Sequence, residues 1–183
     1  MVDVVSPAKR SQMMAGIKGK HSVPEMLVRR ALFAMGHRFR LHRRDLPGSP
    51  DIAMSGCKVA IFVHGCFWHA HQGCKYARTP STRTEFWTTK LQANVDRDQR
   101  AADKLAEMGW RVLNVWECST RDPEAASSLS EALRLWINGD AQVGDISVTR
   151  PETPGSGWPT SYPAAIGKTI LCSTSPRMAI EFS

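Results

Sequence analysis

The chain contains 183 residues, of which 42% are hydrophobic and 22% are charged. This composition is ordinary for a soluble globular protein with one hydrophobic core. The sequence has no apolar run of about 18 residues, and its first residues lack the apolar centre of a signal peptide. These features argue against a membrane-spanning or secreted protein, and we expect a cytoplasmic one.

The net charge of +7 is concentrated in the longer, N-terminal part of the chain. Residues 1–139 contain 21 of the 24 Lys and Arg residues but only 13 of the 17 Asp and Glu residues. This excess favours a polyanionic partner such as DNA or RNA. Residues 140–183 are rich in Pro, Gly, Ser and Thr and show no clear periodicity. We therefore interpret 1–139 as one folded domain and 140–183 as a flexible tail, in which residues 148–150 or 169–172 could add an edge strand.

Two helices are predicted before the first strand. Pro7 is a favourable first residue for a short basic helix over AKRSQMMAGIKGK (8–20). Ser22 and Glu25 match a capping box, in which the two side chains satisfy backbone N–H groups at the start of a helix. Apolar residues then recur with helical spacing up to Gly36, which is expected to end this second helix.

Three strands are predicted next, at FRLHR (39–43), DIAM (51–54) and KVAIFV (58–63). The last two are expected to form a hairpin across SGC (55–57). KVAIFV is almost wholly apolar, which is typical of a strand at the centre of a sheet with both faces covered.

The remaining elements are a helix over about 85–108, a buried strand at WRVLNVWE (110–117) and a helix from Asp122 to Gly139. The resulting order is α, α, β, β, β, α, β, α. It predicts an α/β fold with a central mixed sheet flanked by helices.

The stretch HGCFWHAHQGC (64–74) contains two of the five cysteines of the chain. Clustered cysteines in a reducing compartment favour metal binding over disulfides. Cys66 follows KVAIFV as Cys118 follows WRVLNVWE, so if these strands are parallel neighbours, both thiols reach the same edge of the sheet. Together with Cys74 and one histidine they would complete the tetrahedral Cys and His site that structural zinc requires.

The other cysteines fit this site less well. Cys57 lies at the opposite end of its strand, which at about 3.3 Å per residue places it roughly 20 Å from Cys66. Cys172 lies in the predicted tail. His71 is favoured over His69 as the fourth ligand because it is nearer in sequence to Cys74. A hydrolytic zinc centre is not expected, because four protein ligands leave no position open for water.

A second site is predicted around Asp51, which follows Pro50 at the start of a strand. Nucleases with the restriction-endonuclease fold hold a divalent ion on such an aspartate in a hairpin, because Mg²⁺ prefers oxygen ligands. The backbone carbonyl near Val63 could supply a further oxygen. His64 and His69 could transfer protons or contact a phosphate. Glu25 is a candidate for orienting a histidine.

Several of these segments together resemble the very short patch repair (Vsr) mismatch endonucleases. The resemblance rests on five stretches in the same order: MVDVVSPAKRSQMMAGIKGKHSVPE, LPGSPDIAM, IFVHGCFWHAHQGC, TRTEFWTTKLQANVDRD and GWRVLNVWEC. It covers roughly residues 6–138. It implies a restriction-endonuclease-like fold and a Mg²⁺-dependent enzyme that nicks DNA 5′ to the thymine of a T·G mismatch, the product of 5-methylcytosine deamination.

The resemblance also assigns roles to individual residues. The catalytic group comprises Asp51 as metal ligand, His64 and His69 as catalytic histidines, and Glu25 as supporting glutamate. The structural zinc ligands are Cys66, His71, Cys74 and Cys118. The residues that contact DNA are the aromatic wedge Phe67, Trp68 and Trp87 and the minor-groove residues Met14 and Ile17. Gly73 resembles an insertion in the zinc loop, and Ala70 and Gln72 stand where some members have histidines.

The expected partner is double-stranded DNA with a T·G mismatch, and mismatch-repair accessory proteins are further candidates. We expect a monomer associated with the bacterial nucleoid. Two alternatives are compatible with the same residues: a restriction or phage-defence nuclease without a mismatch requirement, and a catalytically silent, zinc-stabilised DNA-binding module.

Overall fold

A computed structural model describes Lys9 and residues 20–148. Apart from Lys9 and Lys20, the predicted N-terminal helix, with Met14 and Ile17, lies outside the described residues, as does the predicted tail from residue 149 onward, with Cys172. Predictions for these segments stay predictions.

The described residues form four helices and five strands. In chain order they are α1 (Val23–Ala34), β1 (Arg40–Leu41), β2 (Ile52–Met54), β3 (Val59–His64), α2 (Thr84–Glu107), β4 (Arg111–Trp116), α3 (Cys118–Arg121), α4 (Pro123–Asn138) and β5 (Val143–Ile146). Each helix and strand predicted between residues 22 and 139 is present. The short α3 was not predicted.

The strands form one sheet in the order β1-β2-β3-β4-β5. β1 and β3 pair antiparallel with β2, whereas β3 and β4 are parallel, as are β4 and β5. The hairpin across residues 55–57 and the central position of β3 are therefore confirmed. The α/β class with a mixed sheet between helices is also confirmed.

Side-chain caps begin two of the helices as predicted. Ser22 Oγ accepts a hydrogen bond from the Glu25 backbone N–H at 3.4 Å, with Pro24 in the first turn of α1. Asp122 accepts from the backbone N–H of Ala125 at 3.3 Å at the start of α4. The Glu25 carboxylate does not face the cap and contacts Arg29 instead.

Alternation along β3 divides its side chains between two cores. Val59 and Ile61 face one core, formed with α1 and α4. Ala60 and Phe62 face the other, formed with β4 and α2, which contributes Leu105. Because side chains alternate along a strand, the His64 ring lies on the α2 side of the sheet.

The sheet extends beyond the predicted domain boundary at residue 139. β5 lies at Val143–Ile146, within the segment interpreted as tail and ahead of both proposed edge strands. Four residues that include a glycine carry little strand signal of their own. Their conformation follows from pairing with the open edge of β4, from Val112↔Val143 to Val115↔Ile146.

Among the helices that the structure describes, none is long and apolar enough to cross a membrane.

Gly144 permits the close approach of β5 to α4. A Cβ atom at this position would overlap Nε1 of Trp136. We expect Gly144→Ala to lower the free energy of unfolding by about 1–3 kcal/mol, the usual cost of overpacking. Chemical denaturation of the purified protein measures this change. Gly56→Ala is the matched control, because a Cβ at Gly56 has nothing within 4 Å. Equal stability of both variants would show that β5 is not packed as described.

Candidate active site and metal centres

Three groups of potential metal ligands lie around the C-terminal end of β3. Within each group, one ligand atom from every residue lies within 4.8 Å of the others. The groups are the cysteine cluster (Cys66, His71, Cys74, Cys118), the histidine pair with its carboxylate (His64, His69, Asp98), and the carboxylate group (Glu25, His42, Asp51).

The cysteine cluster is assembled by the two central parallel strands. His64 and Trp116 are register partners, so Cys66 and Cys118 both emerge two residues later at the same edge of the sheet. The Cys118 backbone N–H donates to Cys66 Sγ at 3.3 Å, and Cys118 Sγ lies 3.6 Å from His71 Nδ1. Cys57 is buried in the hydrophobic core instead. The structure therefore brings together the four residues predicted from sequence.

The thiols of this cluster are placed where a cation would stabilise them. Burial raises the pKa of the Cys66 thiol, and burial also raises the pKa of the Cys118 thiol. Each sulfur accepts a backbone N–H, from Cys118 and from Val148. Such hydrogen bonds favour thiolates, but thiolates packed together need a positive ion between them. Three sulfurs and one imidazole nitrogen form a donor set that suits a soft or borderline metal ion.

The histidine pair lies on the α2 side of the sheet. The rings of His64 and His69 are stacked, with centroids 3.9 Å apart and planes inclined by 3°. His69 Nδ1 is hydrogen bonded to Asp98 Oδ2. The role of Asp98 was not predicted from sequence. The sequence does contain one indication of this role. Asp98 has helical spacing from Leu91 and Val95, so in α2 its carboxylate lies on the same face as these apolar residues.

The pKa values of this group follow from burial and neighbouring charge. Burial, together with the smaller effect of the charge of neighbouring His69, lowers the pKa of His64 to about 3. His64 is therefore neutral at physiological pH. Burial would raise the pKa of Asp98, but its hydrogen bond and Coulombic interaction with His69 hold it below its ordinary value.

Trp116 connects the cysteine cluster to the histidine pair. Its ring stacks on His71 at 4.0 Å with an inclination of 8°, and its edge meets His64 at 5.4 Å. Its Nε1–H donates to Asp145 Oδ1 at 2.9 Å. Strand β5, which was not predicted at this position, thus orients a ring in the site. A cleft of about 210 Å³ opens beside these residues.

The third group, formed by Glu25, His42 and Asp51, lies at the start of β2. Asp51 Oδ2 accepts a hydrogen bond from the Val63 backbone N–H at 2.8 Å. Asp51 Oδ1 lies 3.7 Å from His42 Nδ1, and Glu25 Oε1 lies 3.1 Å from His42 Nε2. The histidine that Glu25 contacts is therefore His42, which sequence reasoning missed because it appeared only as part of a short strand. Burial raises the pKa of the Asp51 carboxyl.

Phe67, Trp68 and Trp87 form a contiguous aromatic cluster. Ring centroids of Phe67 lie 5.0 Å from Trp68 and 5.3 Å from Trp87. All three side chains are partly exposed. Lys90 Nζ lies 5.8 Å from the ring of Trp87 and of Trp68. The cluster offers flat apolar surfaces bordered by positive charge, which suits contact with nucleobases.

The low pKa of His64 predicts a pH dependence of stability. A histidine whose pKa is lowered on folding binds fewer protons when folded, so it destabilises the protein as pH falls from about 6.5 towards 3. We expect His64→Gln to lose less stability than the wild type over this range. Urea unfolding at stepwise pH values measures the difference. A constant difference between the two proteins would contradict a neutral, buried His64.

Comparison with known proteins identifies the family. Residues 2–75 match the sequence profile described as DNA mismatch endonuclease Vsr. The type II nicking enzyme V.XorIIP of Xanthomonas oryzae pv. oryzae is 47% identical over 122 residues, covering 67% of this chain and 89% of the relative. DNA mismatch endonuclease Vsr of Escherichia coli K12 is 41% identical over 148 residues, covering 80% of this chain and 94% of the relative. The protein is therefore a DNA endonuclease and belongs to the Vsr family.

Proposed function

We propose that this endonuclease nicks DNA on the 5′ side of the thymine in a T·G mismatch, in repair of deaminated 5-methylcytosine. The observation that carries the proposal is the meeting of three features at the end of β3: the Asp51 carboxylate bonded to Val63 N–H, the stacked His64 and His69 rings, and the adjacent aromatic cluster. We further propose that the sheet has the restriction-endonuclease-like fold.

Phosphodiester hydrolysis needs charge stabilisation and proton transfer. Asp51, with the backbone carbonyl of Val63, would hold Mg²⁺, which when bound supplies a Lewis acid next to the scissile phosphate. Neutral His64 could accept a proton from an attacking water once the negative charge of a bound phosphate raises its low pKa. His69, hydrogen bonded to Asp98, is able to carry a positive charge against the phosphate or to protonate the leaving oxygen.

The aromatic cluster supports selection of a mismatch. Opening a base step costs a few kcal/mol, and it costs least beside a mismatched pair. Phe67, Trp68 and Trp87 present rings that could stack in the opened step and recover part of this energy. Met14 and Ile17, outside the described residues, are proposed to enter the minor groove from the N-terminal segment.

The cysteine cluster is proposed to bind one structural Zn²⁺. Its donor set of Cys66, His71, Cys74 and Cys118 is a common tetrahedral zinc set, and its buried thiols fit an ion that removes their protons. A zinc ion here would brace the loop between Cys66 and Cys74, which carries Phe67, Trp68 and His69.

DNA is the partner that the family supports, and the charge of +7 fits it. We propose that the enzyme acts as a monomer in the cytoplasm, at the nucleoid. Mismatch-repair accessory proteins are proposed as additional partners.

A second function is favoured by the names of several relatives, which are type II nicking enzymes. The protein would then nick DNA within a restriction system or in phage defence, with the same Asp51 and histidines and without a requirement for a mismatch. A silent DNA-binding module is disfavoured because the chain keeps a full set of catalytic groups.

One assay separates these functions. Labelled duplexes with T·G, T·A or C·G at one position are incubated with the protein and Mg²⁺. We expect a nick only 5′ to the mismatched thymine, with activity abolished in Asp51→Ala. The exposed carboxylate variant Asp140→Ala is the control and should cut normally. Equal nicking of matched DNA would support the second function, and binding without nicking would contradict both.

The zinc proposal predicts metal content. Purified protein should contain about one zinc per chain. Cys118→Ser should lose most of this zinc and unfold at a lower temperature, because the ligand set is broken. Cys57→Ser is the matched control, since this buried cysteine is outside the cluster and its variant should retain zinc. Elemental analysis with thermal unfolding gives both readouts. Full zinc retention in Cys118→Ser would refute the assignment.

A further inference from the structure

His42 stands between the two carboxylates of the proposed active site, and the proposed reaction gives it no task. We propose that His42 Nδ1 is a ligand of the divalent ion held by Asp51, and that Glu25 orients the imidazole. The mixed oxygen and nitrogen site would then bind first-row transition ions such as Mn²⁺ more tightly than Mg²⁺. This inference rests on the proposed function of Asp51 as the metal-binding carboxylate.

The two oxygens of Asp51 have different surroundings. Oδ2 is occupied by the Val63 backbone N–H at 2.8 Å. Oδ1 lies 3.7 Å from His42 Nδ1. Two atoms that bind one ion at about 2.0–2.2 Å each lie about 3–4 Å apart. The gap between Oδ1 and Nδ1 therefore matches the separation of two ligands of one ion.

Two charged side chains border the second ring nitrogen of His42. Glu25 Oε1 lies 3.1 Å from His42 Nε2, Arg29 Nη2 lies 3.0 Å from the same nitrogen, and Glu25 and Arg29 are paired with each other. Glu25 is only 2% exposed, so its carboxylate is held in place. An ion bound at Nδ1 would require Nε2 to carry the proton and donate it to Glu25, in place of a hydrogen bond from Arg29 to Nε2. Metal-binding histidines usually donate their second nitrogen to a carboxylate in this way.

The backbone also positions His42. Its N–H donates to the Asp51 carbonyl at 3.2 Å, so the two residues face each other across the strands. The φ angle of His42 is 47°, in the left-handed region that non-glycine residues rarely adopt. Such strained positions cluster at ligand sites. The conformation directs this ring towards Asp51.

The local charge also favours a bound cation. Burial raises the pKa of the Asp51 carboxyl, and the negative charge of Glu25 raises it further. A divalent ion beside Oδ1 would offset both effects. An imidazole in its ligand set lowers the relative affinity for Mg²⁺, which prefers oxygen, and favours transition ions.

Electron spin echo spectroscopy of Mn²⁺ bound to the zinc-loaded, DNA-free protein tests the proposal. Nitrogen directly bound to Mn²⁺ produces a modulation that changes when histidine is labelled with ¹⁵N. We expect this modulation in the wild type and its loss in His42→Gln. Titration should show that His42→Gln weakens Mn²⁺ binding about tenfold or more and changes Mg²⁺ affinity less. Glu25→Gln should keep the nitrogen signal and weaken Mn²⁺ binding about 10- to 100-fold.

Two histidine variants serve as controls. His21 is a neighbouring histidine, with 2.8 Å between its Nδ1 and Arg29 Nη1 and its ring centroid 5.8 Å from that of His42. It is not a member of the group of Glu25, His42 and Asp51, so His21→Gln should keep the signal. His69→Gln should also keep it, because His69 belongs to the other histidine group. Loss of the signal in His69→Gln with retention in His42→Gln would overturn the assignment. Circular dichroism establishes that each variant is folded, and His42→Asn replaces His42→Gln if the latter is not.

The nicking assay distinguishes the two ways to fail. If Asp51→Ala abolishes both Mn²⁺ binding and nicking while His42→Gln changes neither the signal nor the affinity, this inference is wrong and the proposed function stands. If Asp51→Ala nicks T·G DNA at the wild-type rate, the proposed role of Asp51 is wrong, and the inference falls with it.

Discussion

The parallel pairing of β3 with β4 is the constraint on which the site depends. The six register pairs run from Val59↔Arg111 to His64↔Trp116, with both strands buried at the centre of the sheet. Because the strands are parallel and in register, they end at the same edge. Cys66 and Cys118 therefore meet although 52 residues separate them in the chain. A shift in this register would separate the thiols and move His64 away from Trp116.

A series of stacked rings connects the cysteine cluster to His64 and His69. His71 stacks on Trp116, Trp116 meets His64, and His64 stacks on His69. Carboxylates hold two of these rings, Asp145 that of Trp116 and Asp98 that of His69. Rings packed this closely restrict one another's rotation. Binding of a metal at the cysteines would thus also restrict the rings of His64 and His69.

The end of β3 separates two chemical environments. On the α2 side, burial keeps His64 neutral, while the hydrogen bond with His69 holds the pKa of Asp98 below its ordinary value. Around Asp51, two carboxylates and His42 share one small volume, where burial disfavours negative charge unless a cation is present. The proposed proton transfer and the proposed metal binding would therefore involve different groups, which reach β3 at the adjacent residues His64 and Val63.

Local sequence signals determined most of the elements and the cysteine cluster. Caps at Ser22 and Asp122, apolar periodicity and the run KVAIFV defined helices and the central strand, because these signals act over a few residues. Cys66 and Cys118 could be paired because each directly follows a buried strand. The family resemblance was likewise carried by contiguous motifs.

Only the tertiary structure decided the rest. Residues 143–146 become a strand because β4 offers an open edge, not because of their own propensity. Asp98, His42 and Asp145 join the site through contacts with His69, Asp51 and Trp116 that span between nine and 29 residues of chain. Such contacts depend on how helices and strands pack, and no local pattern in the sequence encodes a distance between two side chains.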